Sequence, residues 1–345
     1  MIVYRRRCRR VLLGALLALL LAAAAFAAAP HPRNREDRTL SMDRTYLSAV
    51  VWPLRGQAAF LLGDDGPAAS PHEQPAPIAS LAKVMTAYLT LERYPLSGTQ
   101  DGFTLTVTPA QAQAEAQDAA QNQSAVAVQA GEQLTERQML EALLIPSANN
   151  IAQMLATQVA GSETRFIAEM NAEARALGMD HTIYTDPSGF DPSTVSTAAD
   201  QLHILQRAMR SAVVRQIVSM ASVTLPVAGT LTNYNPLITE GYAGKTGSDS
   251  AAGGCLAFFT RATIGGRRLT AVGVVMGQGQ GSDTSALLTA AGEAAEELVD
   301  SVIAPTTRLR ALAAPGAAGG RRGIAGSPDG RLQTLRAPRR RPAQN

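Results

Sequence analysis

Strand-forming segments lie at the two ends of the body of this chain, and what separates them reads mostly as helix. Residues 48–52 and 57–62 form a short strand-like pair, broken by Gly63-Asp64-Asp65-Gly66-Pro67 and a proline-containing loop that runs to Ala79. A helix is expected from Ser80, then a strand-like 103–107, then an Ala/Gln-rich stretch, 110–124, with no decisive period. Helices are expected over 135–144, 150–159, 162–177 and 197–209, with Gly161 and Gly178 as helix ends. Strands return at 242–246, 255–263 and 269–276, the last two joined as a hairpin through Gly265-Gly266. An amphipathic helix over 284–302 closes the pattern. Early strands can be completed only by late ones. The expectation is therefore an α+β fold: one antiparallel sheet flanked by helices, a helical lobe beside it, and a cleft between the two.

The ends of the chain do not belong to that body. Arg5, Arg6, Arg7, Arg9 and Arg10 precede an apolar run of roughly 19 residues, the layout of an export signal and close to the length that spans a bilayer. Ala25-Phe26-Ala27 offers a small-x-small cleavage site, whereas Pro30 disfavours cleavage just after Ala29. Residues 1–29 thus read as a signal peptide or an N-terminal anchor, with the cleaved signal favoured, and 30–44 as a linker. Either way the body is exported. After Pro305 the chain carries nine arginines against one acid, Asp329, and is otherwise rich in Ala, Gly and Pro. It holds too little apolar surface to offset chain entropy, so 304–345 is expected to be a disordered basic tail. Its charge would permit weak contact with an anionic wall polymer or membrane.

The net charge of +3 therefore conceals a body of about −10. An acidic body argues against nucleic acid as a partner. Cys8 lies in the basic head, which leaves Cys255 alone in an apolar run, read as a buried structural thiol. His31, His72, His181 and His203 have no metal-ligand spacing.

Three polar clusters carry chemistry. Ser80 and Lys83 stand three apart, which places them on one helix face. A serine hydroxyl is a poor nucleophile until a base takes its proton. An ordinary lysine is neutral in only about 4 of 10,000 molecules at pH 7, and bringing its pKa to about 7 costs the charged form roughly 4.6 kcal/mol. Burial or a second cation supplies such a shift. Ser147 and Asn149 follow an apolar helix and Pro146, a pairing that suits a helix cap or, beside Ser80 and Lys83, a proton relay with a positioning amide. Lys245-Thr246-Gly247-Ser248 lies near the end of an expected edge strand, which can pair with an extended peptide. Lys245 and the Thr246 hydroxyl suit a carboxylate, and Gly247 leaves room for close backbone approach. A phosphate loop is excluded, because Thr239 stands where that pattern requires glycine.

In this order the three motifs resemble the active-site set of the penicillin-binding proteins and serine β-lactamases. Ile78-Ala79-Ser80-Leu81-Ala82-Lys83-Val84-Met85-Thr86 resembles the nucleophile segment of the serine-type D-alanyl-D-alanine carboxypeptidases, the low-molecular-mass penicillin-binding proteins. So do Leu177-Gly178-Met179, the stretch Thr185-Asp186-Pro187-Ser188-Gly189-Phe190-Asp191, Asn233-Tyr234-Asn235-Pro236-Leu237 and Ala252-Gly253-Gly254-Cys255-Leu256. The likeness spans about 48–302. It implies a β-lactamase/transpeptidase-like fold, with 45–303 as the catalytic domain and no cofactor. It implies Ser80 as nucleophile, Lys83 as general base and Ser147 as proton relay. Asn149, Lys245, Thr246, Gly247 and Ser248 would bind substrate, and the N–H groups of Ser80 and Ser248 would form the oxyanion hole. The implied partners are a peptidoglycan stem peptide ending in D-Ala-D-Ala and β-lactam antibiotics as covalent inhibitors. A D,D-endopeptidase uses the same site. A class A β-lactamase needs Glu-x-x-x-Asn before the third motif, and none of Glu163, Glu169, Glu173 or Glu240 has Asn four residues later. A non-catalytic wall-binding protein is disfavoured because every implied catalytic position is intact. The chain departs from many members in having only the basic tail where they carry a β-rich domain, and in its Ala/Gln-rich 111–124 loop.

Overall fold

The computed structural model describes residues 50–121, 123–264 and 267–313. In chain order it contains β1 (Gln57–Leu62), β2 (Ala68–Ala69), β3 (Ala76–Pro77), a 3-10 turn (Ala79–Ala82), α1 (Lys83–Arg93), β4 (Thr104–Thr106), α2 (Pro109–Ala120), β5 (Gln133–Thr135) and α3 (Glu136–Leu144). Then follow α4 (Asn149–Ala160), α5 (Glu163–Ala176), β6 (Val195–Ser196), α6 (Ala198–Ala208), α7 (Ala212–Val218), β7 (Ser222–Leu225) and β8 (Gly229–Thr232). The chain closes with β9 (Ala243–Asp249), β10 (Gly253–Ile264), β11 (Arg267–Gln278) and α8 (Thr284–Ala313).

The early strand does pair with the late ones. β1 lies antiparallel to β11, with Gln57 opposite Met276 and Leu62 opposite Ala271. The main sheet runs β2-β1-β11-β10-β9, all antiparallel, so β9 is an edge. Both faces of the sheet are covered, and the period-two alternation sorts the side chains between them. Ala58, Phe60, Leu62, Leu256, Phe258 and Val275 pack under α8 with Ala291, Ala295, Leu298 and Val299. Ala59, Ala257, Val274 and Met276 face the other way, into a core shared with the helical lobe. At Gly254 a Cβ would overlap the Leu287 carbonyl, so glycine there lets α8 lie directly on the sheet.

Helix starts in the lobe follow local chemistry. Thr108 with Gln111, and Thr135 with Gln138, form capping boxes on α2 and α3. Ser162 and Thr197 cap α5 and α6. Gly161 ends α4 at φ 80°.

Several expectations need correction. The described part of 48–52 is not a strand, because β1 is already paired by β2 on one side and β11 on the other. Val51 instead donates its N–H to Ser301 Oγ at 3.1 Å, and Trp52 packs on Phe60. Ser80 lies within a 3-10 turn that begins at Ala79, and the α-helix begins only at Lys83. The Ala/Gln stretch is the helix α2, started by its capping box and by Pro109. Helix α7 and the β7–β8 hairpin were not anticipated. Helix α8 continues through Pro305 to Ala313 instead of ending at Val302. The Leu, Arg and Ala residues past the proline favour helix, at the loss of the one bond that proline cannot donate. The head, the linker and the tail from 314 lie outside the described residues. No helix among the described residues is long and apolar enough to cross a membrane.

Phe258 is fully buried, with its ring against Tyr242. Phe258→Ala should destabilise the domain by about 3–5 kcal/mol, read as a shift of the urea midpoint at unchanged slope.

Candidate active site

Three separate segments meet beside the edge strand, and backbone geometry brings them there. Ala79, immediately before Ser80, has φ 45°, in the left-handed region. Such a conformation costs a residue with a side chain about 1–3 kcal/mol and persists only where the surroundings impose it. Here they do so from two sides. The Ala79 carbonyl lies against Gly189, where a Cβ would overlap its oxygen. From the sheet, Gly247 of β9 presses on the same turn: a Cβ on it would stand 3.0 Å from Ser80 N and 3.1 Å from Ile78 O. The glycine of the third motif is therefore the contact that lets the edge strand approach the Ser80 backbone.

Lys83, the first residue of α1, is 0% exposed. Its Nζ stands 2.7 Å from Ser80 Oγ, 2.6 Å from Asn149 Oδ1 and 3.1 Å from the Ser188 carbonyl. Burial lowers its pKa to about 7, against the opposing charge of Asp186. The geometry then decides where the lone pair points. A neutral amine has two N–H bonds and one lone pair. Asn149 Oδ1 and the Ser188 oxygen can only accept, so they take both N–H bonds. The lone pair is left to Ser80 Oγ, whose proton it can receive.

The Ser188 carbonyl is held by its own turn. The Asp186 carboxylate accepts from Ser188 N at 3.1 Å, Ser188 Oγ at 2.6 Å, Phe190 N at 3.0 Å and Thr194 Oγ1 at 2.7 Å. Thr86, one turn after Lys83, donates Oγ1 to the Pro187 carbonyl at 2.7 Å. One face of α1 thus grips this turn twice.

Lys245 on β9 is 1% exposed, and its Nζ donates to the Thr246 carbonyl at 2.7 Å. Its stem borders a void of about 10 Å³ lined in part by Val84, Ala87, Leu144 and Val214. Burial, and secondarily the charge on Lys83, hold its pKa well below the ordinary lysine value. A carboxylate placed beside it would reverse that balance and keep it cationic.

Ser80, Lys83 and Asn149 are in direct contact, and Gly247 abuts Ser80. Ser147 sits at φ 65° in the turn between α3 and α4. Its Oγ is buried with no hydrogen-bond partner, so it is not bonded to either neighbour in the motif set. Thr246 is buried, and Ser248 lies next along the edge strand with partial exposure. Asp186, Ser188, Gly189 and Gln123, whose Oε1 accepts from Asn149 Nδ2 at 2.9 Å, were assigned no role from sequence. Asp-Pro-Ser-Gly is legible as a turn, but its docking on Lys83 is not. Cys255 is buried and its thiol is pushed up to about 12 by burial, in keeping with a structural thiol.

An antiparallel sheet packed on a helical lobe, with a serine and a buried lysine amine in contact where its edge strand meets the lobe, is the fold of the penicillin-binding and transpeptidase proteins. The solved DD-transpeptidase of Streptomyces K15 superposes with a TM-score of 0.62 at 24% identity, covering 74% of this chain and 100% of that one. The solved evolved putative penicillin-binding protein homolog from Mycobacterium tuberculosis gives 0.59 at 30% identity, covering 74% and 94%. Residues 68–280 match the D-alanyl-D-alanine carboxypeptidase family, and the chain belongs to it. Among curated relatives, D-alanyl-D-alanine carboxypeptidase DacB2 of Mycobacterium tuberculosis is 34% identical over 56% of this chain and 64% of its own length. The D-alanyl-D-alanine endopeptidase of Escherichia coli is 30% identical over 53% and 59%. The chain spans less than two thirds of the length of these curated relatives.

Two outcomes follow from the geometry. Only neutral Lys83 can take the proton, so Ser80 acylation by an activated thioester should fall tenfold per pH unit below about 7 and be flat above it. Lys83→Met should lower the plateau by about 10²- to 10⁴-fold and abolish that acid limb; stopped-flow rates against pH read both. Gly189→Ala should displace the turn from Ala79 and lower both the melting temperature and the acylation rate, whereas Gly178→Ala, with open space at its Cα, should lower stability alone.

Proposed function

We propose that this protein is a serine D-Ala-D-Ala carboxypeptidase that trims peptidoglycan stem peptides through a Ser80 acyl-enzyme. The observation that carries the reading is the Lys83 amine, buried and 2.7 Å from Ser80 Oγ, with both N–H bonds committed elsewhere. Ser80 Oγ attacks the carbonyl between the two D-alanines as its proton passes to Lys83. The N–H groups of Ser80 and Ser248 receive the oxyanion. The C–N bond then breaks. Ser147 relays a proton to the departing D-alanine amine, and water hydrolyses the ester. Asn149 holds the substrate amide, while Lys245 and Thr246 bind the terminal carboxylate that Gly247 allows to come close. A β-lactam acylates Ser80 by the same route, with its ring amide as the bond broken.

A second reading is D,D-endopeptidase, favoured by the relatives of that name in Escherichia coli and, at 35% identity over 37% of this chain, Pseudomonas aeruginosa. Either substrate lies outside the cytoplasm, which agrees with residues 1–29 as an export signal or a tether. Contact of the basic tail with anionic wall polymer or lipid remains part of the proposal.

Intact-protein mass spectrometry after incubation with benzylpenicillin tests the nucleophile. A single adduct on the wild type and none on Ser80→Ala is the expected result, with D-alanine released from a pentapeptide by the wild type alone. An adduct that survives in Ser80→Ala places the nucleophile elsewhere. Cleavage of cross-linked dimers to monomers with no D-alanine released from pentapeptide makes the protein an endopeptidase.

A further inference from the structure

Asn149 faces Lys83 with its oxygen, and an amide has no intrinsic reason to choose that orientation over the reverse. The choice matters. With its NH2 toward Lys83, Asn149 could not accept the N–H bond that turns the lone pair to Ser80, and two donors would face each other. Something must hold the other end of the amide with an acceptor.

That acceptor is Gln123. It lies just after α2, in a segment fixed to the start of α4 by backbone and side-chain bonds. Asn149 N donates to the Ser124 carbonyl at 2.7 Å. Asn150 bonds Val126 twice, accepting its N–H at 3.1 Å and donating to its carbonyl at 2.9 Å. Gln123 N donates to the Asp118 carbonyl at 3.0 Å, closing the segment onto the helix end. Within this frame Asn149 Nδ2 reaches Gln123 Oε1 at 2.9 Å, and Gln123 Nε2 reaches Gln121 Oε1 at 3.3 Å. Three carboxamides run head to tail from the surface to the buried amine. Asn149 and Gln123 each give an N–H outward and offer an oxygen inward, and Gln121 offers its oxygen to Gln123, so the orientation of one amide sets that of the next.

We propose that Gln123 is a positioning residue for the general base: it orients the Asn149 amide so that the lone pair of Lys83 points at Ser80. This rests on Ser80 as the nucleophile and goes beyond the role of the three motifs, since Gln123 belongs to the Ala/Gln-rich stretch that matches none of them. Gln123 is only half-buried, so its substitution leaves the core untouched.

The test compares Gln123→Leu, Gln123→Glu and Gln123→Lys with the wild type, using stopped-flow acylation by benzylpenicillin across pH and the NMR titration of Lys83 in protein carrying ¹³C-labelled lysine. Gln123→Leu removes the acceptor and should slow acylation about three- to tenfold, the worth of one neutral hydrogen bond, with a shifted Lys83 titration and unchanged melting temperature. Gln123→Glu keeps an acceptor facing Asn149 and should restore most of the rate, with the acid limb moved to higher pH by the added negative charge. Gln123→Lys presents only donors, favours the reversed amide and should be slowest. Equal rates and titrations in Gln123→Leu and the wild type overturn the proposal, as does a Gln123→Glu variant as slow as Gln123→Leu. If penicillin does not acylate the wild type, the proposed function fails separately, and the Lys83 titration alone decides: an identical curve in Gln123→Leu rejects the positioning role.

Discussion

A lysine amine buried among oxygen acceptors is the interaction on which the site depends. Water would keep that amine charged and useless as a base. Burial removes the water, and Asn149 and Ser188 supply two acceptors that neutral lysine can satisfy while leaving its lone pair for Ser80. The fold serves this arrangement. Sheet and lobe together exclude solvent from α1, β9 closes one side, and the 186–190 turn closes the other.

Four strained or crowded backbone points hold the parts in register. Ala79 and Ser147 adopt left-handed φ values without being glycine, and Gly247 and Gly189 lie where a side chain would meet the Ser80 segment. Strain of this kind is tolerable only because the neighbouring elements are themselves fixed: β9 by its ladder to β10, and the turn by four donors on Asp186. The cation pair adds a second coupling. Lys83 and Lys245 are both buried, and charge on Lys83 further disfavours charge on Lys245, so a ligand carboxylate at Lys245 and a neutral Lys83 amine are mutually consistent states.

Much of this was legible residue by residue. The strand–helix–strand order foretold a sheet closed by its own ends, because an isolated early strand has no partner but a late one. Helix starts followed from Thr135, Ser162 and Thr197, whose hydroxyls cap their own chains. The errors fell where distant contacts decide local shape. Residues 48–52 have strand propensity but no vacant edge to join. The 3-10 turn at Ser80 reflects Gly189 and Gly247 pressing on it, and no helix rule within 78–86 contains either. The Ala/Gln stretch lacks an apolar period because Asp118 is the one buried residue of α2, so periodicity had nothing to report.

The sequence by itself determined which groups are present and which can be neighbours along a helix: Ser80 and Lys83 at three residues' spacing, Ser147 with Asn149, and a glycine beside Lys245. Local propensity and side-chain chemistry act over a few residues, and these pairs lie within that range. Tertiary structure alone decided that Asn149 and the Ser188 carbonyl would flank Lys83, that Asp186 and Gln123 would stand behind them, and that the Ser147 hydroxyl would be left unpaired. The first two are contacts between segments far apart in the chain. They are set by how the lobe packs on the sheet, and the depressed basicity of Lys83 exists only once that packing has excluded water.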